Sequence, residues 1–123
     1  MTTIVATPVR DAAKGDVVGA VFDWGNGAVQ PIKGSLAFGE TVSTATAVAR
    51  GPIGCTVPTV GSVTVNSVAA TVNNRVCAIG EVTTCLVTFA SDQMFGTYFI
   101  RVTAVTSLGH TLSRDLQINV EYP

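Results

Sequence analysis

Charge is the scarcest resource in this sequence. Lysine, arginine, aspartate and glutamate make up 12% of its 123 residues, where about 25% is usual in soluble domains. Seven basic and eight acidic residues leave a formal net charge of −1. A chain so poor in Lys and Arg lacks the basic surface that holds a polyanion, so no nucleic-acid partner is expected. Disorder is also excluded, because it needs high net charge and low hydrophobicity. Long apolar runs are missing as well. The longest uncharged stretch, Gly51 to Asn74, is broken by Pro52, Pro58, glycines and several Ser, Thr and Asn residues. A membrane-spanning helix needs about 20 mainly apolar residues, so no membrane partner is expected. The first ten residues, Met1 to Arg10, have neither a basic start nor a long apolar core, and do not read as a signal peptide.

Catalytic residue types are equally thin. There is one histidine, His110, and any Ser–His–Asp or Cys–His site would have to use it. It falls in a predicted hairpin, where a solvated surface residue is the expectation. Asp115 is near it in sequence but on the polar face of its own strand. The three cysteines, Cys55, Cys77 and Cys85, have no Cys-x-x-Cys spacing and no histidine cluster beside them, so neither metal nor cofactor is expected. Glycine-rich turns such as Gly25-Asn26-Gly27 punctuate strands and match no phosphate-binding loop. The expectation is a protein that is not an enzyme. An odd cysteine count argues against a disulfide framework. A hairpin turn at Gly80-Glu81 would bring Cys77 opposite Cys85 and allow one cross-strand bridge, but buried free thiols acting as small hydrophobes are the expectation.

What the chain does have is β-branched residues. Valine and threonine together supply about 30% of it, and both favour strands. The periodicity is two throughout. From Thr111 to Tyr122 the even positions Leu112, Leu116, Ile118, Val120 and Tyr122 are apolar, Arg114 being the exception, and the odd positions are all polar. That is a strand with one face in a core and one in water. Thr97 to Thr106 reads as a central strand, joined to the last by the tight turn Ser107-Leu108-Gly109-His110. Val17 to Trp24, Thr41 to Arg50, Ser62 to Asn66, Ala69 to Cys77 and Thr83 to Phe89 complete a set of about seven strands, the signature of an antiparallel β-sandwich. Ala28 to Glu40, with Pro31, Gly34 and Gly39, reads as an irregular connection or a poor edge strand. Residues 1–15 read as an N-terminal arm outside a sandwich domain spanning residues 16–123. Tyr98, entering a strand after the corner Ser91–Phe95, favours the immunoglobulin-like variety, in which such a tyrosine caps the corner through its hydroxyl.

Four residues stand out as candidate partner contacts. Met94 and Phe95 are apolar residues in that corner. Trp24 reads first as core packing and second as a ligand or carbohydrate platform. Arg10 sits in the polar cluster of the arm with Asp11 and Lys14.

The stretch Asp16-Val17-Val18-Gly19-Ala20-Val21-Phe22-Asp23-Trp24 resembles the opening of small structural proteins of tailed bacteriophages. Gly96-Thr97-Tyr98 is similar to their strand entry, and Thr106-Ser107-Leu108-Gly109-His110-Thr111 to their final hairpin. The match is co-linear from about Lys14 to Val120. It departs from the pattern at His110, where arginine is usual, at Gly15, which interrupts the acidic turn, and in the longer, valine-rich middle from Gly51 to Glu81. The resemblance implies a component of the virion, assembled in the host cytoplasm. The first expectation is a capsid decoration or cement protein bound across junctions of the major capsid protein, with a dimer or trimer as its own state. A neck or tail component and a host-surface or glycan-binding module are the alternatives.

Overall fold

The computed structural model describes residues 9–25, 36, 37 and 39–121, and the chain over these is all β. Ten strands form: β1 (Val9–Ala13), β2 (Val17–Asp23), β3 (Val42–Arg50), β4 (Thr59–Val60), β5 (Thr64–Val65), β6 (Ala70–Val72), β7 (Arg75–Cys77), β8 (Val82–Thr88), β9 (Gly96–Thr106) and β10 (Thr111–Glu121). One sheet has the order β1-β10-β9-β3. The other has the order β2-β8-β4, with β5 also pairing β8, and β6 and β7 make a separate hairpin. Sheets of this order, second-eighth-fourth against third-ninth-tenth, reproduce the B-E-D and C-F-G layers of an immunoglobulin-like sandwich.

Alternation explains why the layers close on each other. In β9, Tyr98, Ile100, Val102 and Ala104 are buried while Phe99, Arg101 and Val105 face out. Leu116, Ile118 and Val120 of β10 join them from one side. Val18, Ala20 and Phe22 of β2 and Cys85 and Val87 of β8 meet them from the opposite sheet. The period-two pattern of each strand thus delivers one apolar row to a shared core.

Arg114, the one even position of β10 that breaks the apolar row, sits at the end of that core. Its guanidinium lies 4.9 Å over the Trp24 ring and donates to the Asp23 carbonyl at 2.7 Å. Burial pushes its pKa down, and the nearby Asp23 carboxylate acts against that. The charge is accommodated by a ring face and a carbonyl, as cation–π geometry allows.

The structure departs from the sequence reading at four points. Val9–Ala13 was assigned to the arm, but it is an edge strand of the first sheet, parallel to β10 from Val9 opposite Gln117 to Ala13 opposite Glu121. Residues 1–8 of the expected arm lie outside the described residues. The run Ala69–Cys77 is two strands, not one. Asn73 and Asn74 have φ of 50° and 66°, the pair of left-handed residues that a tight two-residue hairpin needs and that Asn tolerates best after Gly. The strand Thr59–Val60 was not anticipated. Finally, Cys77 and Cys85 do not face each other. Cys77 pairs with Ala70 inside the small hairpin, Cys85 pairs with Ala20 in the second sheet, and all three cysteines are free thiols. Burial pushes the pKa of both Cys77 and Cys85 up, which keeps them in the thiol form.

Candidate functional site

The corner between β8 and β9 is built from one buried tyrosine and one buried glutamine. Tyr98 is fully enclosed; its ring packs edge-on to Phe89 at 5.7 Å and lies against Gly51. A Cβ at Gly51 would come within 2.6 Å of the Tyr98 ring, so the close approach requires glycine. The Tyr98 hydroxyl donates to the Met94 carbonyl at 2.8 Å, the corner-capping bond that the sequence suggested. Gln93 completes it. Its Nε2 donates to the Thr56 carbonyl at 2.6 Å and to the Tyr98 hydroxyl at 2.9 Å, and its Oε1 accepts from the Ala90 amide at 3.3 Å. The corner is therefore tied both to the core and to the connection between β3 and β4. The turn between β1 and β2 joins them, its Gly15 amide donating to the Ala90 carbonyl at 2.9 Å.

These bonds leave apolar side chains outside. Ile53 is fully exposed, Met94 is 59% exposed and Phe95 is 37% exposed. The Met94 thioether lies 3.8 Å from the Cys55 thiol, which bridges the two loops. Met94 stands between two open hollows. One, of about 390 Å³, is lined by Lys14, Asp92, Gln93, Met94 and Phe95. The other, of about 330 Å³, is lined by Gly54, Thr56, Ala90, Asp92, Gln93 and Met94. An apolar ridge flanked by hollows and held by buried hydrogen bonds is suited to receive side chains of another protein, with little ordering entropy left to lose on binding.

The other two candidate residues are elsewhere. Trp24 is fully buried. Its Nε1 donates to the Thr83 hydroxyl at 2.7 Å, and its ring packs at 5.8 Å from Phe22. It is a core residue and offers no platform to a ligand. Arg10 lies in β1 opposite Ile118, and its side chain is outside the described residues.

The opposite end of the sandwich carries the polar clusters. Glu40 is buried, yet its carboxylate is fully engaged. Thr106 Oγ1 donates to it, the Ala37 amide donates to it at 2.8 Å, and His110 Nδ1 lies 2.8 Å from it. Burial alone would push the Glu40 pKa up, but the hydrogen bonds from Thr106, Ala37 and His110 outweigh that and hold it below the usual range. His110 is thus an exposed hairpin residue, as expected, but the carboxylate it meets is Glu40. Asp115 pairs instead with Arg101 at 2.9 Å. No other hydrogen bond reaches the His110 ring among the described residues. A second cluster has Arg75 bridging Asp23 at 2.7 Å and Glu81 at 3.4 Å, which fastens the β6–β7 hairpin to the sandwich. Among the described residues no group of three or more His, Cys, Asp or Glu side chains is gathered as a metal would need.

Sequence reasoning missed Gln93 and Glu40. Gln93 had a signal: a polar residue five positions before a corner tyrosine and inside the same loop. Glu40 had none, because the side chains that engage it lie 66 and 70 residues away.

No protein-family model matches the chain, and no curated protein matches it. Among solved structures, a family 123 glycoside hydrolase from Clostridium perfringens superimposes with a TM-score of 0.46 at 7% identity, over 95% of this chain and 23% of that one. The chain thus spans less than a quarter of the enzyme's length.

Proposed function

We propose that the chain is a non-enzymatic structural component of a virus particle, a capsid decoration protein that docks across junctions of the major capsid protein. The observation that carries the docking reading is the corner itself. Ile53, Met94 and Phe95 are held outside the sandwich by a network that buries the polar groups beneath them. Aromatic and methionine side chains such as Phe95 and Met94 are enriched at the cores of protein interfaces. The choice of a virion shell as partner rests on the resemblance carried by Asp16–Trp24, Gly96–Tyr98 and Thr106–Thr111. Many copies around a shell let modest individual contacts add by multivalency.

The test is composition of purified particles by quantitative mass spectrometry, followed by rebinding of the isolated protein to stripped shells. Many copies per shell, and rebinding lost in Met94→Ser/Phe95→Ser with unchanged melting, support the proposal. A small ring's worth of copies would move the protein to the neck or tail. Absence from particles sinks the virion reading, and rebinding unaffected by the double substitution sinks the corner as the docking surface.

A further inference from the structure

The outward face of the β2-β8 sheet is a second surface, independent of the corner. Val17 and Val21 of β2 and Leu86 of β8 point out of it, 59%, 45% and 58% exposed. Between them lie Gly19, Thr84 and Thr88, and Thr59 and Thr64 continue the face on β4 and β5. The charged side chain of these four strands, Asp23, sits at the end of β2 and is ion-paired with Arg75. A charge-free sheet face with three aliphatic side chains is an association surface unless something covers it.

We propose that this face pairs with the same face of a second copy of the chain. Two features favour a copy over a foreign partner. The first is shape. Gly19 and Leu86 are directly opposed in register, so a projecting side chain stands beside a notch. A Cβ at Gly19 would meet nothing within 4 Å, so the notch opens to the outside. A twofold axis lying in the interface and running along the strands between β2 and β8 sets Leu86 of each copy over Gly19 of the other. The same axis sets Val17 over Thr88 and Val21 over Thr84. Leu86 of each copy then fills the notch at Gly19 of the other, and the two valines meet threonines of matching shape, as aligned sheet packing allows. The second is charge. A charged partner finds nothing here to pair with, and a second copy brings no charge to bury. Size sets the strength of the pairing. Seven residues of β2 at ~3.3 Å each, by three strands at ~4.8 Å, give roughly 350 Å² in projection. That is below the ~800 Å² per partner of a standard interface, so the pair is a concentration-dependent dimer, strengthened where copies are already held side by side.

Sedimentation equilibrium of the full chain over a wide concentration range tests this. The wild-type mass should rise with concentration from the 12.7 kDa of one chain to twice that value. Leu86→Glu, which puts charge on the projecting group, and Gly19→Lys, which fills the notch without touching the core, should each stay monomeric throughout. Far-UV circular dichroism of both variants should remain wild-type. Met94→Ser/Phe95→Ser should still dimerise, which separates this face from the docking corner. A wild-type chain that is monomeric at every concentration overturns the proposal, and so does a dimer that survives both face substitutions. If instead Leu86→Glu leaves a monomer unchanged but weakens rebinding to shells, the face belongs to the shell and not to a second copy.

Discussion

The two outer faces of the sandwich solve the same problem in opposite ways. On the β1-β10-β9-β3 face, polar side chains pair across the strands in register. Arg101 grips Asp115 at 2.9 and 3.1 Å, Thr103 meets Ser113 at 3.1 Å, and Thr97 meets Asn119 at 3.1 Å. Each pair is directly opposed in the β9–β10 ladder. Such ladders satisfy the side chains within one molecule and leave little for another to recognise. On the β2-β8 face there is no such ladder, and Val17, Val21 and Leu86 stand exposed. The scarcity of charge is therefore uneven: the β2-β8 face has none beyond Asp23 at the end of β2.

The contrast can be broken first from inside. Trp24 ties the two layers together, because it follows β2, bonds Thr83 of β8 and carries Arg114 of β10 on its ring. Trp24→Ala should cost about 3–5 kcal/mol, as large aromatic truncations in cores do. It should also leave Arg114 without its ring face. Urea denaturation with a loss under about 1 kcal/mol would show that the layers do not depend on this side chain.

Next in size is the corner. Tyr98→Phe removes the bond to the Met94 carbonyl and one partner of Gln93, and should cost about 1–3 kcal/mol. It should also raise protease sensitivity between Phe89 and Gly96, while the β9–β10 ladder keeps its amide protection. Equal loss of protection in both regions would mean that the corner is not a separately fastened unit.

Acid acts on the far end. Glu40 has its folded pKa depressed, so its contribution is present above the ordinary glutamate value of about 4.3 and is lost as pH falls through the folded value. Asp115 is depressed in the same direction, by its hydrogen bond and charge contact with Arg101. Melting temperature should therefore decline on the acid side, and Glu40→Gln should flatten that limb. An unchanged slope in Glu40→Gln would assign the acid sensitivity elsewhere.

The smallest effect belongs to the charged face. Arg101→Gln should barely change stability at physiological salt, since exposed pairs are screened, and the difference from wild type should shrink further as salt rises. A loss insensitive to salt would mean that the Arg101–Asp115 pair contributes through packing.

Legibility followed how local each signal was. β10 could be read residue by residue because its alternation is sustained and one side of it is wet. The tyrosine corner was readable because donor and acceptor are four residues apart. β1 was not, since it is short, carries Arg10 and Asp11, and owes its strand state to the distant β10. β4 has two residues, too few for any period to show, whereas β5 falls inside the run Ser62–Asn66 that reads as a strand. The role of Met94 as a ridge was only half visible: its exposure followed from the loop, but the hollows beside it depend on Lys14 and Gly54 being brought alongside. The Trp24 reading split the same way. The residue type favoured burial, while the hydroxyl that accepts its N–H comes from β8, out of reach of any local pattern.

β10 has one further consequence. It is one of the two inner strands of its sheet, hydrogen-bonded to β1 on one side and β9 on the other. On a ribosome, β1 is made first and must wait for its partner until Thr111–Glu121 emerges. Until then Ile100, Val102 and Ala104 of β9 have no neighbouring strand on that flank. This layer therefore closes only with β10, although β3 and β9 can pair before it. The uncharged β2-β8 layer, complete about thirty residues sooner by the position of β8, is the part exposed to its neighbours in the meantime.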